Sequence, residues 1–202
     1  MKKKLPVIIG IICTIAFSVW FGFTDKTHKI YDNNVNTATY ASLGAFLPEW
    51  SLTQDFLCEE DTINALLIKS DRAGDFENAV VRLTVTDKET GEILSEGTEE
   101  GRKIKARQLH KYPIQPISGY RGKMLSVTVT EENSGEGNGI AIYYQPAAAG
   151  EDRQFILNNN PVSGSLVLKT VTERFDAETF IIMLVSLWFI WGFLWFLYRL
   201  FK

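Results

Sequence analysis

Val81-Arg82-Leu83-Thr84-Val85-Thr86 and, further on, Leu125-Ser126-Val127-Thr128-Val129-Thr130 alternate apolar and polar side chains with a period of two. Successive side chains of a strand point to opposite faces, so each run buries one face and wets the other. Its β-branched residues favour the same conformation. Moving outward, Ile140, Ile142 and Tyr144 repeat the pattern, as do Leu166 and Leu168, Leu66 and Ile68, and Phe56 and Cys58. Turn signals separate the runs: Asp87-Lys88-Glu89-Thr90-Gly91, the polar stretch from Glu131 to Gly139, and Asn158-Asn159-Asn160-Pro161. Short alternating strands with such punctuation predict an antiparallel β-sandwich. We expect eight or nine strands between Leu52 and Val171, in a domain over residues 52–172.

The two ends are different. Residues 5–23 and 180–198 each run 19 positions without a charge. About 20 apolar residues in a helix cross a bilayer core of about 30 Å, so both are expected to be transmembrane helices. Lys2, Lys3 and Lys4 precede the first span, and Arg199 and Lys202 follow the second. Basic flanks stay in the cytoplasm, which makes residues 1–4 and 199–202 cytoplasmic tails and residues 24–179 extracellular at a plasma membrane. Residues 24–51 are polar and aperiodic, hence a stalk, and 173–179 are a return linker. The alternative for the first span is a cleaved signal peptide, although Phe23-Thr24-Asp25-Lys26 offers no small-x-small cleavage site.

Charge and cysteine usage narrow the class. The outer segment holds all 24 acidic residues and 16 basic ones, a net charge of −8. That disfavours nucleic acid and an anionic membrane surface as partners. Cys13 falls inside a span and Cys58 in the outer domain, so no internal disulfide is expected. An exported domain without one suits a bacterial envelope, particularly a Gram-positive one.

Leu52-Thr53-Gln54-Asp55-Phe56, Ile63 to Ser70, Leu83-Thr84-Val85-Thr86-Asp87, Pro116-Ile117, Gly122 to Val127 and Gly139 to Tyr144 form a succession of strands and turns. It resembles the jelly-roll, carbohydrate-binding-like ectodomains of Gram-positive membrane proteins involved in cell-surface polysaccharide synthesis. The likeness covers about 120 residues and rests on pattern, without a diagnostic motif. It implies a glycan-facing sandwich working beside polymer-assembly enzymes. This chain lacks the many-helix membrane enzyme that often carries such a domain, so the resemblance implies an accessory subunit.

No nucleophile–base set stands out, and no phosphate loop or metal-ligand spacing is present. The chain is therefore expected to be non-enzymatic; a surface glycoside hydrolase using paired carboxylates is the weaker alternative. Sugar binding needs aromatic faces ringed by polar groups, which makes Trp50, Tyr112, Tyr120 and Tyr143 the glycan-binding candidates. Alternation points Tyr144 inward and Tyr143 outward. His110 reads as a surface residue at a strand end. No cofactor is expected apart from calcium, for which Asp71, Asp75 and Glu77 supply hard oxygens in one loop. Trp188, Trp191, Trp195 and Tyr198 share one helical stripe. They are expected to pack against lipid or a helix of an integral-membrane protein partner. An envelope polysaccharide is the other expected partner. The alternative function is a membrane-tethered carbohydrate-binding module acting alone.

Overall fold

The computed structural model describes residues 5–146 and 154–202, so the basic tail at 1–4 lies outside the described residues. The chain forms two compact units. One spans Thr27–Thr172; the other holds the chain ends, up to Lys26 and from Glu173. In order, the elements are α1 (Leu5–Gly22), β1 (Phe23–Lys29), β2 (Ala41–Ala45), β3 (Ser51–Leu57), β4 (Thr62–Ala73), β5 (Val80–Asp87), β6 (Ile93–Glu100), β7 (Gln108–Ser118), β8 (Met124–Glu132), β9 (Gly139–Gln145), β10 (Gln154–Leu157), β11 (Asn160–Ser163), β12 (Ser165–Leu166), β13 (Leu168–Phe175) and α2 (Ala177–Leu200).

The strands form two antiparallel sheets packed as a sandwich. Among the described residues one sheet has seven strands in the order β1-β13-β4-β9-β12, with β2 added beside β9 and β7 beside β4. The other has six, in the order β11-β10-β3-β8-β5-β6. The period-two positions meet between the sheets: Phe56, Leu66, Ile68, Val81, Leu83, Val85, Leu125, Val127, Val129, Ile140, Ile142, Leu166 and Leu168 are all buried in one cluster. Burying each such side chain contributes about 1.5–3 kcal/mol, and non-directional burial on this scale decides which face points inward. Cys58 is a buried free thiol whose pKa burial pushes up. The sheets also meet at β6 and β7. Ser95 Oγ donates to the Gln115 carbonyl at 2.7 Å. Gly97 lies so close to Pro113 that a Cβ there would sit 2.0 Å from the Pro113 oxygen.

The turns obey their chemistry. Asp87 Oδ1 accepts the Glu89 and Thr90 N–H groups at 2.9 and 3.3 Å, and Gly91 takes a φ of +73°. Asn158 and Asn159 both adopt positive φ (+50° and +64°), which makes them the two-residue loop of a tight hairpin between β10 and β11.

Three sequence expectations need correction. Among the described residues eleven strands, not eight or nine, lie between Ser51 and Phe175, because that hairpin and the two-residue β12 are too short to show a period. Residues 24–51 are not a plain stalk. They contain β1 and β2, and Phe46 enters the core while its N–H donates to the Ile140 carbonyl at 3.2 Å. A register shift between Ser42 and Ala45, with Gly44 at a φ of +81°, erases the alternation that would have revealed β2. The linker at 173–179 is likewise absent, since β13 runs to Phe175 and α2 begins at Ala177. Asp176 caps α2: its Oδ1 accepts the Glu178 N–H at 3.1 Å.

Among the described residues, α2 is the helix long and apolar enough to cross a membrane. Its 24 residues span about 36 Å at the α-helical rise. The apolar helix α1 is shorter, at 18 residues, and its last residue is Gly22. A second membrane span is therefore not shown.

Candidate functional site

The central strand β4 of the larger sheet turns Ile68 and Ser70 into the core and Leu67, Lys69 and Asp71 outward. Around Lys69 the outer face carries tyrosine rings. Its Nζ lies 4.9 Å from the centre of the Tyr40 ring and 5.0 Å from that of Tyr143, a cation held between two π faces. Tyr31 meets Tyr40 edge-on with ring centres 6.1 Å apart. Tyr143 comes from β9, and Tyr31 and Tyr40 come from the segment preceding β2. Burial raises the pKa of all three phenols; Tyr31 also feels Tyr40, Tyr40 feels Asp32, and Tyr143 feels Asp71.

Beside this group Asp71 is fully engaged. Its Oδ2 accepts Tyr143 Oη and Arg107 Nε, each at 3.1 Å, and its Oδ1 accepts the Arg72 N–H at 2.8 Å. Burial works to raise its pKa, but these donors together hold the carboxyl below its ordinary value. Arg107 reaches Asp71 from a backbone φ of +58°, a conformation that costs a non-glycine residue about 1 kcal/mol or more. On the next row, Lys169 of β13 pairs in register with Leu67. Burial and the nearby Lys29 lower the Lys169 pKa. Lys29 Nζ itself donates to Asn33 Oδ1. The face is thus a tyrosine platform with ammonium groups on an otherwise acidic domain.

The expected site residues are not brought together. Tyr143 is on this face, while Tyr144 points to the core and packs on Phe155 with ring centres 5.3 Å apart. Tyr112 is overturned as a glycan contact. It is 0% exposed, and its hydroxyl is 2.7 Å from Ser70 Oγ inside the sandwich, because β7 pairs it with the inward Leu66. Trp50 is half-buried against Phe46, with ring centres 6.0 Å apart. Tyr120 also packs on the core edge, beneath Lys123. Asp71, Asp75 and Glu77 are not gathered into one cluster: Asp71 is committed as described, and no group of three or more His, Cys, Asp or Glu placed to hold a metal ion occurs among the described residues. His110 is corrected too. It is buried, stacked edge-on against Tyr112 at 5.0 Å, with Nε2 3.7 Å from Glu99. Burial lowers its pKa against the pull of Glu99.

Tyr31, Tyr40 and Lys69 escaped sequence reasoning. The signal available was Lys69 itself, the outward position in the alternating run of β4; the two tyrosines lay in the segment read as a stalk.

A polar cleft of about 390 Å³ lies among His28, Lys29, Gln54, Asp55, Glu59 and Gln154. Its groups are largely engaged: Asp55 takes Lys88 at 2.5 Å and Ser126 Oγ, and Gln54 spans the Gln154 carbonyl and the Leu166 N–H.

In the other unit, α1 and α2 pack antiparallel. Gly10 sits under Trp191, where a Cβ would lie 2.4 Å from the indole Cη2. Gly22 sits against Phe175 and Phe180 at the opposite end. Between them are Thr14, whose Oγ1 donates to the Gly10 carbonyl at 2.9 Å, and the fully buried Ser18. These four positions recur every fourth residue, a small-residue stripe that lets two helices approach closely. Scanning for glycine pairs alone misses it. Trp188, Trp191 and Trp195 line an apolar groove of about 530 Å³ with Ile11, Thr14 and Gly192. Tyr198 is not part of it and lies under Lys202.

No family model and no curated protein matches the chain. Distant likenesses to solved structures exist. A clostridial cysteine protease, Cwp84, after propeptide cleavage is 12% identical with a TM-score of 0.41, over 74% of this chain and 40% of that one. The cysteine protease and lectin-like domains of Cwp84, a surface layer associated protein of Clostridium difficile, give 12% and 0.37 over 68% and 36%. The flagellar cap protein FliD of Escherichia coli gives 13% and 0.19 over 92% and 69%. The chain thus spans about 40% of the length of the first of these, and likeness at this level carries no argument about function.

Proposed function

We propose that this chain is a non-enzymatic, two-span membrane protein, an accessory subunit of envelope polysaccharide assembly with a jelly-roll-like sandwich displayed outside the cell. Both termini are cytoplasmic, and residues 24–179 face the envelope. The helix pair carries the reading. Its small residues face inward while Ile8, Ile12, Trp20, Ile182, Val185, Phe189 and Phe196 are exposed. Such a surface is ruinous in water and ordinary in hydrocarbon. The groove fits a transmembrane helix of a membrane-enzyme partner, because a Cβ at Gly192 would meet nothing within 4 Å, so the backbone there is open to close approach.

The test is co-purification from native membranes. The wild-type chain should bring an integral-membrane partner with it, and Trp188→Ala with Trp191→Ala should lose that partner. Recovery of the partner at wild-type yield by the double variant removes groove docking. A reporter fused near residue 100 that is active in the cytoplasm removes the topology. A second reading, a tethered glycan-binding module acting alone, is favoured by the tyrosine platform around Lys69. Under it the chain retains envelope glycan with no partner present.

A further inference from the structure

From the tyrosine and lysine face of the larger sheet we infer that this chain binds an anionic polysaccharide strand, its sugar rings against Tyr40 and Tyr143 and its acid groups on Lys29, Lys69 and Lys169. The inference rests on the glycan-facing reading above and adds the charge class. The outer segment carries −8 overall, yet Lys69 and Lys169 point outward from one sheet face, and Lys29 stands near Lys169 at the mouth of the polar cleft. Lys169 and Lys69 flank the Leu67 position on adjacent strands, and strands lie about 4.8 Å apart. Lys29 is close enough to Lys169 to lower its pKa. Like charges held side by side repel, and a bound anion relieves that repulsion.

Two carboxylates stand near the rings, and both are engaged: Asp32 Oδ1 accepts the Asn34 N–H at 2.8 Å, and Asp71 is taken by Arg107 and Tyr143. That pairing also fixes the Tyr143 ring at its phenol end and leaves the ring standing beside Lys69. A phenol ring offers a flat apolar surface with a polar tip, which suits the C–H face and hydroxyl rim of a sugar. A bare polyanion would use the lysines and ignore the rings. An anionic bilayer would meet the repulsion of the whole −8 segment.

The experiment uses the full chain in nanodiscs of neutral lipid. Four probes are compared: polygalacturonate, a neutral dextran, inorganic polyphosphate, and vesicles of phosphatidylglycerol. Polygalacturonate should bind best and should weaken as salt rises. Lys69→Gln and Lys169→Gln should each lower its affinity about fivefold, and Tyr40→Ala by a similar factor. Lys169→Arg should retain binding. Because Lys69 packs between rings, Lys169→Gln serves as the variant least able to disturb the fold, with far-ultraviolet circular dichroism as the check. Equal binding of dextran, unmoved by either lysine variant, overturns the charge inference and leaves the glycan-facing reading standing. Polyphosphate binding as tight as polygalacturonate overturns the sugar contact. Tighter binding to the vesicles assigns the face to lipid and overturns the inference. Binding to none of the four overturns the inference and removes the second reading of the function with it.

Discussion

Glu131 gives the sharpest quantitative test of the fold. It sits at the end of β8, 2% exposed, where both carboxylate oxygens lie 3.1 Å from the Ile140 N–H. Gly139 is bare at this point: a Cβ would stand 1.9 Å from Glu131 Oε1. Burial pushes the carboxyl up to about 7, against the opposing pull of the Ile140 N–H and the Ser134 hydroxyl. A raised folded value means that the native state binds the proton more tightly than the unfolded chain. Stability from this group is therefore greatest below the ordinary glutamate range and is lost as pH climbs towards 7. At about 1.4 kcal/mol per unit the full shift corresponds to roughly 3 kcal/mol, and partial solvation reduces that to about 2 kcal/mol.

Glu131→Gln removes the charge and keeps the shape. Its amide oxygen can accept the Ile140 N–H, and its amide nitrogen can donate to Ser134 Oγ. At pH 8 the variant should be about 2 kcal/mol more stable, raising Tm by about 4–8 °C for a domain of this size. At pH 4 the gain should all but vanish, because below the ordinary glutamate value the wild-type carboxyl is protonated in the native state and largely so in the unfolded chain. The assay is thermal melting of the full chain in mild detergent, followed at the β-sheet circular dichroism band. His110 works in the opposite sense: its lowered pKa lets the unfolded chain take up a proton first, so its contribution grows as pH rises towards 6.5. Comparing the two proteins at one pH cancels that term. A variant no more stable than wild type at pH 8, or equally stabilised at both pH values, refutes the account of Glu131.

Three further outcomes follow from particular contacts. Tyr112→Phe removes the hydroxyl bonded to Ser70 and should cost about 1 kcal/mol in denaturant unfolding; an unchanged midpoint would mean that the buried bond contributes nothing. Gly97→Val drives a side chain into the Pro113 carbonyl, backbone that cannot swing aside, and should destabilise by more than about 2 kcal/mol; native stability would show that β6 and β7 do not approach so closely. Asp176 should titrate near 2 by nuclear magnetic resonance, held down by Lys26 at 2.5 Å and by the Thr179 hydroxyl. Lys26→Gln should raise that value; a titration that does not move would deny the ion pair.

What the sequence revealed and what it hid have one physical cause. Burial is written into the chain locally: Val81, Leu83 and Val85 announce a buried face through their own spacing, whichever strands lie beside them. A surface site is not written that way. Lys69 becomes the centre of a platform only because β9 brings Tyr143 beside it and the segment before β2 brings Tyr40 over it. Those two tyrosines lie 103 residues apart along the chain, and no periodicity links them. Tyr112 failed as a surface residue for the converse reason. Its neighbours His110 and Ile114 share its face, so alternation did place it inward, but His110 and Lys111 beside it made the strand end look wet.

The helix pair extends this argument to residues with no side chain to read. Gly10, Thr14, Ser18 and Gly22 differ in polarity and share only smallness and a spacing of four. Hydropathy averages across them, whereas packing depends on them, since Trp191 occupies the space that a Cβ at Gly10 would need. In the hydrocarbon where the proposed topology puts the pair, no hydrophobic force drives two helices together, so close backbone approach and dispersion would have to supply the association. A stripe of four small residues, packed on Trp191 at Gly10 and on Phe175 and Phe180 at Gly22, meets that requirement. It also explains why Trp188, Trp191 and Trp195 can line a groove at mid-helix, where hydropathy alone would place them at an interface.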